Sequence, residues 1–333
     1  MKVSLHLEYL HLFGGLMYRN VGTGLLSSYR NQKKLLEKLK IPYDECFDGS
    51  ADILQINLPW LSSLFAASQA KRKGKKVVMW AHTTMEDALQ VFRFTKYLKK
   101  PLRRYLTYAY GQADRVFCPS SYTKALLLAY GLPEEKLLVL SNGVDTDTYC
   151  PNPILREGFR KEYGLQEVVI GTIGLVIPRK GTDTFIELAV LLPKQQFLWC
   201  GSTYSGLIAE KLPATLPKNV YFTGFIPDAV AALNAFDIFI FPSYEENQGM
   251  AILEAAAVGL PIIVRDLPVY RDWLFDAENC LKATDTASFE KAIKRILDDT
   301  TLRDRLIEGS FLLAKQESTD RLSERLLQVY ADL

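Results

Sequence analysis

The sequence lacks the cysteine and histidine spacings that mark disulfide-linked and metal-binding proteins. It has five cysteines, an odd number with no C-x-x-C pair, and three histidines without metal-ligand spacing. Such scattered cysteines are typical of reduced side chains in a cytoplasmic protein. We therefore expect no disulfide, no metal site and no cofactor.

Long apolar runs are also missing. No run approaches the roughly 18 residues that are needed to span a bilayer. The first 13 residues lack the charged and apolar regions of a secretory signal. With 48% hydrophobic and 23% charged residues, the composition is that of a folded protein, and 333 residues suit two domains.

Charge is unevenly distributed along the chain. The net charge is +2, but residues 1–165 carry 24 Lys and Arg against 15 Asp and Glu, a net +9. Residues 166–333 carry 16 against 23, a net −7. The two halves are therefore expected to meet different partners.

Short apolar segments alternate with helical ones in both halves, which predicts parallel α/β sheets. Pro151 and Pro153 mark the linker between the halves. The predicted strands cover residues 2–7, 51–58, 76–81, 115–121, 136–145, 168–173, 196–201, 219–225, 237–243 and 261–266. Residues 286–331 are predicted to be almost entirely amphipathic helix, of the kind that often packs across a domain boundary.

The stretch FPSYEENQGMAILEAAAVGLPIIV, residues 241–264, reads as strand end, loop, short helix and strand. Glu246 lies in the loop, and Glu254 lies in the first turns of the helix, which ends at Gly259. Backbone N–H groups at a helix N-terminus attract phosphates and hydroxyls. Two carboxylates beside such a helix end can bind a nucleotide sugar.

A second loop, GLVIPRKG, follows the predicted strand 168–173 and carries Arg179 and Lys180. Cations beside a helix N-terminus make a diphosphate clamp. The alternative is an ordinary surface loop, in which lysine is common.

Two features of the first half have both a functional and a structural interpretation. Gly22 and Gly24 either let the backbone approach a phosphate or only form a tight turn before the helix that starts at residue 25. His82 directly follows a predicted strand, where ligands of open parallel sheets bind. The alternative for His82 is a position just before a helix that is capped by Thr83 or Thr84.

Residues 91–110, VFRFTKYLKKPLRRYLTYAY, place cations at helical spacing on one face and Phe, Leu and Tyr on another, with Pro101 as a kink or break. A basic face of this kind is typical of helices that bind anionic membrane surfaces. The alternative is a solvated helix face. No fingerprint of a nucleic-acid-binding module accompanies the charge, so no nucleic acid is expected. The cations concerned are Lys96, Lys99, Lys100, Arg103 and Arg104.

The ordered set of motifs resembles the retaining glycosyltransferases of the GT-B fold, specifically glycosyltransferase family 4. The set consists of NGVDTDTYCP, GLVIPRKG, FTGFIPD and the E-x7-E loop, and it covers nearly the whole chain. The resemblance implies two Rossmann-like parallel-sheet domains facing a central cleft. These domains would comprise residues 1–153 and 154–316, with a C-terminal helix at 317–333 crossing back to the first domain.

The resemblance also implies roles for individual residues in transfer of a hexose from a uridine-diphosphate sugar, which is a substrate and not a cofactor. Glu246, His82 and Lys180 match the family's catalytic positions, with Glu246 and His82 beside the transferred sugar and Lys180 on the diphosphate. Glu254 matches the residue that binds the ribose hydroxyls. The other donor-binding positions would be Gln248, Gly249, Met250, Arg179, Gly22, Gly24 and Ile226.

One residue departs from the family pattern. The family usually has Arg directly after the glycine that matches Gly174, whereas this sequence has Leu175. Half of the expected diphosphate clamp is therefore missing unless Arg179 replaces it.

Within the family, the segments KVSLHLEYLHLFGG, WAHTTMED and PVYRDWL look like bacterial enzymes that add a second hexose to monoglucosyl-diacylglycerol. The acceptor would then be a membrane lipid, and the enzyme would be peripheral on the inner face of the cell membrane. A glycosyltransferase of cell-surface polysaccharide synthesis and a non-catalytic nucleotide-sugar or membrane-binding protein remain as alternatives. Glucose and galactose donors, the acceptor linkage and the oligomeric state stay open.

Overall fold

The computed structural model describes residues 1–7, 24–91, 98–203, 212–213 and 215–333, which form two compact units. The first unit takes in Leu25–Gly143 and Thr319–Leu333 together with the first strand. The second unit takes in Val144–Ser318. The chain thus passes to the second unit after Gly143, upstream of the prolines in the sequence-predicted linker.

Each unit contains a six-stranded, wholly parallel sheet. The strands are β1 (Val3–His6), β2 (Tyr43–Asp44), β3 (Ile53–Ile56), β4 (Lys76–Trp80), β5 (Arg115–Cys118), β6 (Leu137–Val139), β7 (Val169–Ile173), β8 (Gln196–Cys200), β9 (Val220–Gly224), β10 (Ile238–Phe241), β11 (Ile262–Arg265) and β12 (Leu281–Ala283). Their order is β2-β1-β3-β4-β5-β6 in the first sheet and β12-β11-β10-β7-β8-β9 in the second. The α/β class expected from alternating apolar segments is therefore confirmed.

Helices connect the strands. They are α1 (Gly24–Lys38), α2 (Leu61–Arg72), α3 (Met85–Val91), α4 (Lys99–Gly111), α5 (Ser121–Tyr130), α6 (Pro153–Glu162), α7 (Thr182–Leu191), α8 (Ala229–Ala235), α9 (Met250–Ala257), α10 (Thr286–Asp298), α11 (Thr300–Gln316) and α12 (Thr319–Ala331). The prediction missed β2 and β12, which are too short to show an apolar pattern.

Of the helix expected over residues 91–110, with Pro101 as a kink or break, the described part runs from Lys99, and Pro101 neither kinks nor divides it. Helix α3 ends at Val91, α4 begins at Lys99, and residues 92–97 lie outside the described part of the chain. Pro101 is the third residue of α4, where no intrahelical N–H bond is lost, so proline starts this helix without kinking it.

The prolines of the sequence-predicted linker help to begin a helix. Pro153 is the first residue of α6, and the Asn152 side chain accepts hydrogen bonds from the N–H groups of Ile154 and Leu155. An Asn cap followed by proline is a helix-start signal, because proline's fixed φ suits the first helical position. Pro153, which the sequence analysis assigned to a linker, is therefore part of a helix start.

The first sheet packs on both faces, as alternate side chains of its strands point in opposite directions. Leu54 and Met79 contribute to one core cluster, whereas Val78 and Trp80 contribute to the other. The C-terminal helix α12 belongs to the second of these clusters through Leu322, Leu326 and Tyr330. The last helix of the chain therefore completes the core of the first unit.

Both sheets have a point at which the direction of winding reverses. In the first sheet it lies between β1 and β3, and in the second it lies between β7 and β10. Connections leave such a pair of strands in opposite directions, and the crevice outside their carboxyl ends is where ligands of open α/β sheets bind. The residues that follow these four strands are therefore the first place to look for a functional site.

Candidate active site

In the second unit, two cations and a carboxylate meet beyond the carboxyl ends of β7 and β10. The Lys180 ammonium donates a short hydrogen bond to Oε1 of Glu246. Arg179 places Nη1 3.7 Å from the same oxygen and donates from Nη1 to the carbonyl of Glu245 at 2.6 Å. The structure thus brings together three residues that the sequence predicted for the donor site.

A glycine allows the loop that carries the two cations to pack closely. Gly181 follows a 3₁₀ turn at Pro178–Lys180 and has φ of 79°, in the left-handed region. A Cβ added there would lie 2.3 Å from the carbonyl oxygen of Pro242. Only glycine fits this position, so the turn can hold Arg179 and Lys180 against the 242–246 loop.

Burial makes the charges of this cluster strong. The side chains of Arg179, Lys180 and Glu246 are 11%, 15% and 8% exposed. Burial raises the pKa of Glu246, but the charges of Lys180 and Arg179 outweigh it, so the pKa of Glu246 lies below its usual value. Glu246 is therefore ionised at neutral pH, and two cations against one carboxylate leave an excess of positive charge for an anion.

Arg265, at the end of β11, supports the loop before Glu246 and was missed by the sequence analysis. Its guanidinium donates to the carbonyls of Pro242 at 3.0 Å and Thr284 at 2.7 Å. It also lies 4.0 Å from the centre of the Tyr244 ring, where a cation–π interaction fixes the aromatic side chain. The only signal in the sequence is an arginine that directly ends a buried apolar strand.

Tyr270 is a second residue that the sequence analysis missed. It is fully buried, and its hydroxyl has no hydrogen-bond partner among the described residues. Burial and the charge of Glu246 raise the pKa of Tyr270 well above its usual value. The phenol is therefore neutral and lies within the electrostatic field of Glu246.

The other predicted donor-binding residues of this unit lie near the start of α9 or just after β9. Gly249 adopts φ of 93° at the N-cap of α9, and Gln248 and Met250 are buried on either side of it. Glu254 is buried in the second turn of α9. Ile226 is buried two residues after β9.

In the first unit, His82 lies in a network of neutral polar side chains. His82 follows β4 and stacks on Trp80 with ring centroids 5.6 Å apart. Its Nε2 lies 3.3 Å from Oδ1 of Asn57 and 3.5 Å from Oγ of Ser28. Thr84 caps α3, since its Oγ1 accepts from the N–H of Asp87 at 3.3 Å, and the role of His82 in ligand binding stays a prediction.

The network determines which ring nitrogen of His82 carries the proton. Asn57 directs its amide nitrogen to the carbonyl of His6 at 3.5 Å, so its Oδ1 faces Gln32 and His82. A carbonyl oxygen can only accept, so this orientation of Asn57 favours the tautomer in which Nε2 of His82 donates. Desolvation lowers the pKa of His82 to about 3, which keeps the imidazole neutral.

The same network extends to the C-terminal helix. Gln32 donates to Oδ1 of Asn57 at 2.7 Å and accepts from Gln55 at 2.8 Å. Gln55 in turn accepts a short hydrogen bond from the hydroxyl of Tyr330 in α12. Four buried polar side chains thus connect α12 with the environment of His82.

The remaining predicted residues fall in three groups. Gly24 is the first residue of α1. Lys99, Lys100, Arg103 and Arg104 are exposed on α4. Gly22 and Lys96 lie outside the described residues.

Within the described ranges, no group of three His, Cys, Asp or Glu side chains is placed to hold a metal ion. A search of the same ranges finds no helix with the length and apolar character to cross a membrane.

Known proteins match both halves of the chain. Residues 11–148 match the model described as Glycosyltransferase Family 4, and residues 156–311 match the one described as Glycosyl transferases group 1. The processive diacylglycerol alpha-glucosyltransferase of Acholeplasma laidlawii is 31% identical over 321 residues, covering 93% of this chain and 94% of the relative. The chain belongs to glycosyltransferase family 4. This family membership, predicted from the motif order, is confirmed.

A second relative of this glycosyltransferase is the alpha-galactosylglucosyldiacylglycerol synthase of Streptococcus pneumoniae. It is 30% identical over 333 residues, covering 93% of this chain and 85% of the relative. Among solved structures, Anabaena HepE in complex with UDP-glucose matches with a TM-score of 0.78 at 17% identity, covering all of both chains. WaaG, a glycosyltransferase involved in lipopolysaccharide biosynthesis, matches with a TM-score of 0.70. The predicted GT-B fold is confirmed.

Proposed function

We propose that this glycosyltransferase moves glucose or galactose from a uridine-diphosphate sugar to a membrane glycolipid such as monoglucosyl-diacylglycerol, with retention of the anomeric configuration. The observation that carries the proposal is similarity along nearly the full length to two enzymes named for diacylglycerol glycolipids. One enzyme is named for transfer of glucose and the other for a lipid that carries galactose and glucose, so we leave the donor sugar as either hexose.

The charged cluster supports a diphosphate donor. Lys180 and Arg179 both approach the buried carboxylate of Glu246, beyond the two strands at which the winding of the second sheet reverses. The N-terminus of α9 follows Glu246 closely in the sequence. Cations held in a poorly solvated place stabilise charge that develops on a leaving diphosphate. We therefore assign the leaving-group role to Lys180 and Arg179, and this role requires no metal ion.

The position of Arg179 bears on Leu175, the departure from the family pattern. Arg179 lies beside Lys180 at Glu246, with its side chain largely buried. A guanidinium at that place supplies the second cation of a diphosphate clamp from the far end of the loop. We propose that Arg179 replaces the family's missing arginine.

The reaction is a front-face substitution at the anomeric carbon. The acceptor hydroxyl oxygen bonds to the anomeric carbon while the bond from that carbon to the diphosphate oxygen breaks, and the hydroxyl proton passes to the leaving phosphate. The ionised Glu246 stabilises positive charge that develops on the sugar ring. His82, neutral and with a fixed proton, orients a hydroxyl of the transferred sugar, while Glu254 holds the ribose.

The acceptor side of the proposal concerns the membrane. Helix α4 exposes Lys99, Lys100, Arg103 and Arg104, and it contains no acidic residue. Each cation near an anionic leaflet contributes about 1 kcal/mol of attraction. The enzyme would thus work in the cytoplasm as a peripheral protein on the inner face of the membrane, where its lipid acceptor lies.

A two-by-two assay tests the proposal. UDP-glucose or UDP-galactose is combined with diacylglycerol or monoglucosyl-diacylglycerol in anionic mixed micelles, and the glycolipid product and the released UDP are both measured. We expect product with monoglucosyl-diacylglycerol and one of the two donors. The absence of product in all four combinations would exclude the glycolipid assignment, whereas UDP release without glycolipid would indicate a different acceptor.

Glu246→Gln tests the mechanism in the same assay. This variant keeps the size of the side chain but removes the charge that stabilises the sugar ring. We expect kcat to fall on the order of 100-fold with a smaller change in KM, as for loss of an electrostatic group that acts in the transition state. A variant that keeps full kcat would show that the role assigned to Glu246 is wrong.

A further inference from the structure

Large apolar side chains are exposed at the N-terminal end of α2. Trp60, Leu61 and Phe65 are 51%, 75% and 65% exposed, and we call these three residues the apolar tip. Leu61 and Phe65 are four residues apart in α2, so they lie on the same helix face. Three neighbouring exposed residues of this size mark an interaction surface more strongly than single exposed apolar residues do.

The apolar tip lies beside the basic helix α4. The hydroxyl of Tyr105, in α4, donates to the carbonyl of Pro59 at 2.5 Å. Leu64 of α2 and Leu102 of α4 pack against the same core cluster of the first unit. The N-terminal end of α2 and helix α4 are therefore neighbours on one side of the first sheet.

The helix that lies beside the apolar tip, α4, carries charge of a single sign. Helices α2 and α4 contain no Asp or Glu. Helix α4 exposes Lys99, Lys100, Arg103 and Arg104, whereas Lys71, Arg72 and Lys73 lie at the opposite end of α2, about 15 Å from Leu61. Four exposed cations and no anion on the helix beside the apolar tip fit an anionic bilayer, which presents negative headgroups over an apolar layer.

We propose that the apolar tip inserts into the interfacial layer of an anionic bilayer while the cations of α4 bind its headgroups. This inference rests on the proposed lipid acceptor and extends it. The basic helix α4 explains why the protein is attracted to the membrane surface, whereas the apolar tip explains how part of it enters the bilayer. Tryptophan is well suited to the tip, since its ring is favoured at the boundary between headgroups and acyl chains.

Insertion and surface attraction differ in their response to salt. Attraction between exposed charges is screened over about 8 Å at physiological ionic strength, whereas apolar burial is not screened. We therefore expect binding to vesicles to weaken with salt but to keep a component that persists at high salt. That component depends on the apolar tip.

Fluorescence of Trp60 provides a direct test. Trp80 and Trp199 are 0% and 1% exposed and Trp273 is half-buried, so among the four tryptophans Trp60 is the one most open to a change of solvent. The intact protein is mixed with vesicles of phosphatidylcholine containing phosphatidylglycerol. We expect its emission to shift to shorter wavelength and to be quenched by brominated acyl chains, and Trp60→Phe should remove most of this signal without abolishing binding.

Sedimentation with the same vesicles tests the energetic role of the tip. Leu61→Ser combined with Phe65→Ser should lower the partition coefficient on the order of 100-fold, and most of this loss should remain at high salt. Val190→Ser is the matched control, because Val190 is 63% exposed in the second unit, and it should bind as the unaltered protein does. Thermal unfolding of each variant confirms that it is folded.

Several results would overturn the inference. These are unchanged partition of the double variant, absence of quenching by brominated chains, or equal binding to vesicles without phosphatidylglycerol. Transfer by the unaltered enzyme in mixed micelles is measured separately. Transfer without insertion would contradict only this inference, and insertion without transfer to any lipid would contradict only the proposed function.

Discussion

The two units hold their candidate site residues in opposite kinds of polar environment. In the second unit, a carboxylate and two cations are packed together with little exposure. In the first unit, His82 is surrounded by amides and hydroxyls, and no charged side chain takes part in the hydrogen bonds that connect it with Tyr330. One site thus relies on charge and the other on the direction of hydrogen bonds.

This difference agrees with the binding of a nucleotide sugar that we propose. A diphosphate carries fixed negative charge, which a cluster with excess cations stabilises strongly where water is excluded. A sugar is neutral and is distinguished by the direction of its hydroxyls, which neutral donors and acceptors recognise only when they are held still. The comparison therefore predicts that variants in the two units will differ in the size and the kind of their effects.

The largest effect is expected from Lys180→Met. Removal of the cation to which we assign the leaving-group role should lower kcat/KM by about 100- to 1,000-fold. It should also lower the free energy of unfolding by about 3 kcal/mol, because Glu246 stays buried with one cation fewer. UDP release and denaturant unfolding measure the two effects.

The double variant Lys180→Met with Glu246→Gln separates the effect of Lys180 on activity from its effect on stability. Its unfolding free energy should recover only in part, because Glu246 no longer carries a charge but the buried Arg179 cation has lost its carboxylate partner. Its activity should stay low. Recovery of activity in the double variant would show that Lys180 acts only by neutralising Glu246.

A smaller effect is expected from Gln32→Leu, which breaks the neutral network at its centre. Asn57 and Gln55 each lose a hydrogen-bond partner in a buried place, at about 1–3 kcal/mol in total. The orientation of His82 is then less well defined, so kcat should fall about 10-fold. Unlike that of Lys180→Met, this loss should not change with salt, because no charge is removed.

The proton position of His82 offers an independent readout for Gln32→Leu. In the unaltered protein labelled with ¹⁵N-histidine, NMR should show Nε2 of His82 in its protonated form, with His82→Asn used to assign the signal. In Gln32→Leu the two tautomers should exchange. A His82 that carries its proton on Nδ1 in the unaltered protein would contradict the orientation of Asn57.

Sequence reasoning recovered most of the charged site and little of the neutral one. Glu246 and Lys180 belong to local motifs, and a strand followed by a loop and helix places such residues near a strand end without further information. The network around Gln32 has no motif, because neutral amides are common and their partners are far apart in sequence. Tyr330 is 275 residues from Gln55, so only the folded chain shows their contact.

The boundaries of the units illustrate the same limit. Strand and helix types followed from apolar patterns, and ten of the twelve strands overlap predicted segments. The amino-acid composition around Gly143 does not show that the chain passes from one unit to the other there. Val144 belongs to the second unit because its N–H donates to the carbonyl of Glu317, at the other end of that unit. A contact between such distant positions leaves no local signal.

A still smaller effect is expected from Tyr330→Phe, at the far end of the neutral network. The ring keeps its packing in the core of the first unit, but Gln55 loses the hydrogen bond that its Oε1 accepts. We expect a loss of about 1 kcal/mol in unfolding free energy and a change in kcat of less than about 3-fold. An effect on kcat as large as that of Gln32→Leu would show that α12 controls the position of His82 directly.

The smallest expected effect concerns pH, and it follows from the neutral state of His82. The folded-state pKa of about 3 lies below the usual value of 6.5, so His82 should not titrate in activity between about pH 6 and 8. A group with a depressed pKa contributes stability that is present above the unfolded pKa and is lost as pH falls toward the folded pKa. The unfolding free energy should therefore be about 1 kcal/mol lower at pH 5.5 than at pH 8 through this group.

His82→Asn should remove that part of the pH dependence. Glu246 has a lowered pKa and loses its contribution only below its unfolded value near 4.5, so the two groups act in different windows. Denaturant unfolding of both proteins between pH 5.5 and 8 gives the difference. If the unfolding free energies of the two proteins change equally with pH, His82 is solvated and titrates normally. The contrast between a neutral site in the first unit and a charged site in the second would then be wrong.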